Sequence, residues 1–118
     1  MSSGSSQANA FYEEVSENQR LWFAETESGD ALEFDIDNDQ VSFPLWSSKS
    51  RIIRLKKLNP DLLAEYLPRE ISWLFFKEVL APMLMENKRL IGVNLNGQNL
   101  TGIDLPVESL IKQIEAFA

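Results

Sequence analysis

The sequence predicts an α+β domain, and three observations carry that prediction. Short apolar runs of strand length, bounded by turn formers, recur along the chain. Stretches with helical spacing of apolar residues stand at both ends and in the middle, not in strict alternation with the strands. The 118 residues are 44% apolar and contain no Cys, so one apolar core must hold the fold without disulfides. The expected architecture is a largely antiparallel sheet of about five or six strands packed against three to four helices in a single domain.

Met1 to Gln7 is rich in Ser and Gly and reads as a flexible leader, with residues 8–118 forming the domain. From Ala8 the apolar residues Ala8, Phe11, Tyr12 and Val15 mark one stripe of a helix whose other face carries Asn9, Glu13, Glu14 and Glu17. Leu21-Trp22-Phe23 predicts a strand that stops at the turn formers Glu27-Ser28-Gly29-Asp30. Alternation over Ala31 to Asp37 places Leu32, Phe34 and Ile36 on one face and acids on the other, as in a half-buried strand. Asn38-Asp39 turns the chain into Val41 to Trp46, where Pro44 lacks an amide donor and so marks a strand end or sheet edge. Such an edge also makes a homodimer an expectation.

Ser47-Ser48 can cap a helix containing Ile52, Ile53 and Leu55 among five cations, and Asn59-Pro60 breaks it. Asp61 to Tyr66 adds a helical turn before Leu67-Pro68 interrupts the chain again. The segment Ser72 to Met85 is apolar nearly all round, which predicts a helix buried on most sides, opened at Pro68 or Ser72 and kinked or restarted at Pro82. Trp22 and Trp73 are assigned to the core. Arg89 to Leu95 and Leu100 to Asp104 read as a hairpin around Asn96-Gly97-Gln98-Asn99. Pro106 then opens a last helix with Val107, Leu110, Ile111, Ile114 and Phe117 on one stripe.

Composition narrows the function classes. No His and no Cys are present, which removes the commonest general base, thiolate nucleophiles and the usual zinc ligands. The chain is therefore expected to be non-enzymatic, with no cofactor. Asp35, Asp37 and Asp39 begin like a calcium loop, but Gln40 stands where the sharp turn needs Gly and Trp46 where a bidentate Glu is needed. No metal site is expected. A net charge of -7 opposes binding to phosphate backbones and to anionic membranes, and no apolar run is long enough to span a bilayer. Nucleic acid and membrane are therefore disfavoured as partners, and a cytoplasmic location is expected.

Taken in order, Leu21-Trp22-Phe23, Pro44-Leu45-Trp46-Ser47 and Ile91-Gly92-Val93-Asn94, followed by Gly102 and Pro106, make the stretch from Ala8 to Phe117 resemble a family of small bacterial proteins classed only as a domain of unknown function. Phe43 to Ser48 and the hairpin are also similar to the N-terminal domain of the enhanced serine sensitivity proteins. The resemblance implies a single α+β domain and no activity.

Charge is segregated along the chain. Ten acids and one base lie between Phe11 and Asp39, whereas Lys49, Arg51, Arg54, Lys56 and Lys57 follow with no acid among them. Complementary patches of this kind steer association, although a basic helix can equally pair with the chain's own acidic strands or be a solvated face. Trp46, a large aromatic beside Pro44, Ser47 and Ser48 at the strand-to-helix junction, suits an interface anchor, since Trp and Arg dominate binding hot spots, whereas such a Trp can also close a core edge. The sequence expectation is thus a non-enzymatic protein-binding or adaptor module whose contact surface comprises Trp46, Ser47, Ser48, Arg51 and Asn94. The alternatives are a small-ligand-binding regulatory domain with a pocket between sheet and helix, and an immunity-type protein masking a basic toxin.

Overall fold

The structure is a computed structural model that describes residues 3–117. Helix α1 (Ser3–Asn18) leads into strands β1 (Arg20–Glu25), β2 (Phe34–Ile36) and β3 (Gln40–Leu45). Helices α2 (Lys49–Leu58) and α3 (Pro60–Leu63) precede strand β4 (Leu67–Ser72). A continuous helical segment follows, made of α4 (Trp73–Phe75), a π-helical turn (Phe76–Leu80) and α5 (Ala81–Glu86). Strands β5 (Leu90–Asn96) and β6 (Thr101–Pro106) and helix α6 (Val107–Glu115) complete the chain.

The fold is α+β as expected, but the six strands among the described residues form two sheets rather than one. β2, β3, β5 and β6 make a four-stranded sheet in that spatial order, and β1 pairs with β4 in an antiparallel ribbon. A backbone bridge between Trp22 and Trp46 ties the ribbon to β3. Pairing is antiparallel except between β3 and β5, where Ser42 to Leu45 run alongside Leu90 to Val93. Such a parallel pair needs a long crossover, here supplied by everything from α2 to α5.

The sheet is covered on both faces. Phe43, Leu45, Ile91 and Val93 pack with α1, α6 and the Trp73–Glu86 segment in the larger core. Trp46 and Leu95 pack instead with Ile52 and Leu55 of α2, Leu63 of α3, Ala24 of β1 and Leu32. The period-two rule explains β1, whose Leu21 and Phe23 face the first core while Trp22 and Ala24 face the second. Within the first core, burial pushes the Tyr12 phenol above its ordinary range, so the ring stays neutral.

Several local expectations need correction. Helix α1 begins at Ser3, so Ser3 to Gln7 is helical and Gln7 is buried; Met1 and Ser2, the rest of the expected leader, lie outside the described residues. Ser48 occupies the cap position of α2, yet its side chain makes no capping bond and its hydroxyl meets that of Ser50. Pro44 is the penultimate residue of β3, at the strand end that the sequence allowed, but β3 is an interior strand and the proline is buried, so it marks no exposed sheet edge and gives no support to a homodimer. The proline is nonetheless satisfied by a local gap. Ser42 pairs with Phe34 of β2 and Trp46 with Trp22 of β1, and Pro44 falls between them where no neighbour asks for its missing amide. Strand β4 has no counterpart among the strands that the sequence predicts, because its side chains are mostly exposed and only Ile71 packs on the core. Phe117, which the sequence puts on the apolar stripe of the last helix, lies beyond the end of α6 and is exposed.

The largest difference concerns the helix expected to be buried on most sides. Of the two openings that the sequence allows, Pro68 and Ser72, the helix uses Ser72, whose hydroxyl accepts from the Phe75 amide at 3.0 Å. At the expected site of the kink the chain restarts. The amide of Ala81 reaches back to the Phe76 carbonyl, the spacing of a π turn, and Pro82 falls in the first turn of α5 where no amide is required. Trp73, Phe76, Leu80, Ala81 and Leu84 face the core, with Trp73 and Phe76 stacked at 5.4 Å. The opposite face is bare.

Candidate functional site

Two features follow from this frame: a polar cluster where β3 meets α2, and the bare face of the Trp73–Glu86 segment.

The polar cluster is built around a break in strand alternation. Ile91 and Val93 point into the first core, and Leu95 would follow them if β5 kept its pleat. Asn94, however, has φ +49°, a left-handed conformation that Asn tolerates better than most residues, and the β5–β6 register shifts between Val93 and Asn96. The bulge re-aims Leu95 into the second core and turns the Asn94 side chain inward. There its Oδ1 accepts the Ser47 amide at 2.9 Å, while Nδ2 donates to the Ser47 hydroxyl at 3.0 Å and to the Gln7 carbonyl at 3.3 Å. The Ser47 hydroxyl donates to Glu14 Oε1 at 2.6 Å, and Arg51 Nη2 donates to Glu14 Oε2 at 3.0 Å. One side-chain amide thereby joins α1, the end of β3 and the bulge of β5.

Trp46 completes the junction from the other face. It is 1% exposed, and its indole Nε1–H donates to the Leu95 carbonyl at 2.9 Å. Four of the five residues singled out from sequence therefore do meet: Trp46, Ser47, Arg51 and Asn94. They do not form the expected contact surface, because Trp46, Ser47 and Asn94 are enclosed and their polar atoms are used internally. Ser48 stands apart from the network. Sequence reasoning missed Glu14, placed on a solvated helix face, and Gln7, placed in the leader; no pattern in either segment signals a partner so remote in the chain. Arg51 pairs with Glu14 of α1 and not with the acidic strands. Lys49, Arg54 and Lys57 are exposed, so most of the basic segment faces outward.

The second feature consists of Leu74 (60% exposed), Phe75 (47%), Val79 (50%) and Met83 (50%), with Met85 beside them. Phe75, Val79 and Met83 recur every fourth residue, which keeps them on one side of the helical segment. Large apolar side chains gathered in this way are uncommon on a protein that works alone. Glu78 and Glu86 lie along the stripe, and neither has a cation at ion-pair distance among the described residues. Lys77 is engaged with Glu115 at 3.1 Å and lies over the Trp73 ring. Among the described residues no group of three or more His, Cys, Asp or Glu is placed to hold a metal ion, and no helix is long and apolar enough to cross a membrane.

Fold and site together define a small α+β domain with an internal polar junction and a bare apolar helix face. The chain belongs to the family described as protein of unknown function (DUF2750), whose model matches residues 8–114. No curated protein matches it.

Proposed function

We propose that this chain is a non-enzymatic protein-binding module, and that its contact face is the apolar side of the Trp73–Glu86 segment. The observation that carries this reading is the exposure of Leu74, Phe75, Val79 and Met83 on one helical face. A helix that is apolar all round is normally buried all round. Here the sheet, α1 and α6 cover one side, and a partner supplies the other. The π turn adds support, since such turns are frequent at functional sites.

The partner is a protein segment with an apolar face flanked by Lys or Arg. Glu78 and Glu86 beside the stripe and the net charge of -7 favour such flanks. The same charges oppose a second copy of the chain, which would bring Glu78, Glu86 and an equally acidic body against their like.

The test uses an amphipathic Leu/Lys helical peptide and its scrambled isomer, followed by amide chemical shifts. The expected result is saturable perturbation concentrated on Leu74 to Met85 with the amphipathic peptide alone. Phe75→Gln, Val79→Gln and Met83→Gln combined should weaken it tenfold or more, which is about 1.4 kcal/mol, without unfolding the chain, because all three are exposed and Gln suits a helix. Equal binding of the scrambled isomer, or perturbation spread over the acidic surface, would contradict the reading.

A further inference from the structure

Beside the polar junction, a small cleft open to solvent lies between α2 and the β5–β6 hairpin. Arg51 and Arg54 stand on one wall, Asn96 and Gly97 on the other, and Leu55 and Leu58 contribute apolar surface. We propose that this cleft binds a small aliphatic carboxylate, held by the two guanidinium groups with its chain against the leucines. This site does not depend on the protein-binding face, which lies on a different helical segment.

Three observations support it. First, Arg51 is held in place by Glu14 through a single one of its five N–H donors, so the group is oriented while donors remain for a second anion. Second, Arg54 lines the same cleft and has no acid at ion-pair distance among the described residues. A planar guanidinium suits a carboxylate in a two-bonded fork. Third, the opposite wall is stiff. Asn59 Nδ2 donates to the Gly97 carbonyl at 3.3 Å and to Leu55 O at 3.1 Å, which ties the hairpin tip to the end of α2. The mixed polar and apolar lining suits a short-chain acid better than a phosphate, which would gain nothing from Leu55 and Leu58.

The test compares sodium butyrate, the uncharged isostere butyramide and sodium chloride at matched ionic strength, read by the Gly97 amide shift and by thermal unfolding. Butyrate is expected to shift Gly97 saturably and to raise the melting temperature, while butyramide and chloride do neither. Arg54→Gln, an exposed substitution outside the polar network, is expected to weaken butyrate binding at least tenfold with the melting temperature of the free protein unchanged. A non-saturating response equal to that of chloride would overturn the proposal, as would unaltered butyrate binding by Arg54→Gln. An equal response to butyramide would replace the carboxylate site by an apolar crevice and would also overturn it.

Discussion

Replacing Trp46 by Ala is expected to lower the unfolding free energy by about 3–5 kcal/mol, the usual result of removing a fully buried aromatic side chain. The indole fills the second core between Ile52, Leu55, Leu63 and Leu95, and its loss also leaves the Leu95 carbonyl without a partner. Domains of this size hold a total of about 5–15 kcal/mol, so the variant should be barely folded at room temperature, with a melting temperature lower by on the order of 10–20 °C. Trp46→Phe retains most of the volume and loses only the indole donor; it should cost about 1–3 kcal/mol. Urea unfolding of both variants checks the order. A loss below about 1 kcal/mol for Trp46→Ala would mean that the residue lies at an open surface, as in the interface role that its sequence context suggested.

Asn94→Ala is expected to cost about 2–5 kcal/mol for two separable reasons. The buried Ser47 amide loses its acceptor, which costs about 1–3 kcal/mol. The left-handed backbone at φ +49° is also disfavoured for Ala by about 1–2 kcal/mol. Asn94→Gly removes the hydrogen bonds but accepts the conformation, so it should be the milder change by about 1 kcal/mol despite its greater flexibility when unfolded. Because the bulge aims Leu95 at Trp46, hydrogen exchange of the Trp46 indole N–H should accelerate in Asn94→Ala. Equal stability of the Ala variant and the original chain would show that the polar junction does not hold α1, β3 and β5 together.

Much of the fold was legible in local pattern, and what was not has identifiable causes. The hairpin of β5 and β6 and the strands at Leu21-Trp22-Phe23 and Phe34-Asp35-Ile36 announce themselves because inward apolar residues alternate with turn signals at their ends. β4 carries no such signal. It is an outer strand whose one strand neighbour is β1, Ile71 is its one side chain packed on the core, and its Pro68 reads as a break. The division into two sheets is equally hidden, since it follows from β1 pairing with β4 and meeting β3 at the Trp22–Trp46 bridge, which no local pattern signals.

The junction shows where pattern reading ends. Trp46, Ser47, Arg51 and Asn94 attract notice as residue types, but the bonds that join Ser47 to Asn94 and to Glu14 span 47 and 33 positions of chain, and only the tertiary fold brings them together. Glu14 looks like any acid on a solvated helix face until Arg51 arrives beside it. The Trp73–Glu86 segment fails in the opposite sense. Hydrophobicity states that a surface avoids water, and it does not distinguish the chain's own core from the body of a partner.

That distinction is the point on which the account turns. A photo-reactive residue placed at Val79 in cells, with one at exposed Asp37 as the comparison, tests it most directly. A discrete adduct is expected from position 79 with a different protein, joined through a segment that has an apolar face flanked by Lys or Arg. It should be absent from position 37 and lost when Phe75 and Met83 become Gln. Adducts equal at both positions, no adduct at Val79, or an adduct only with a second copy of the chain would contradict it.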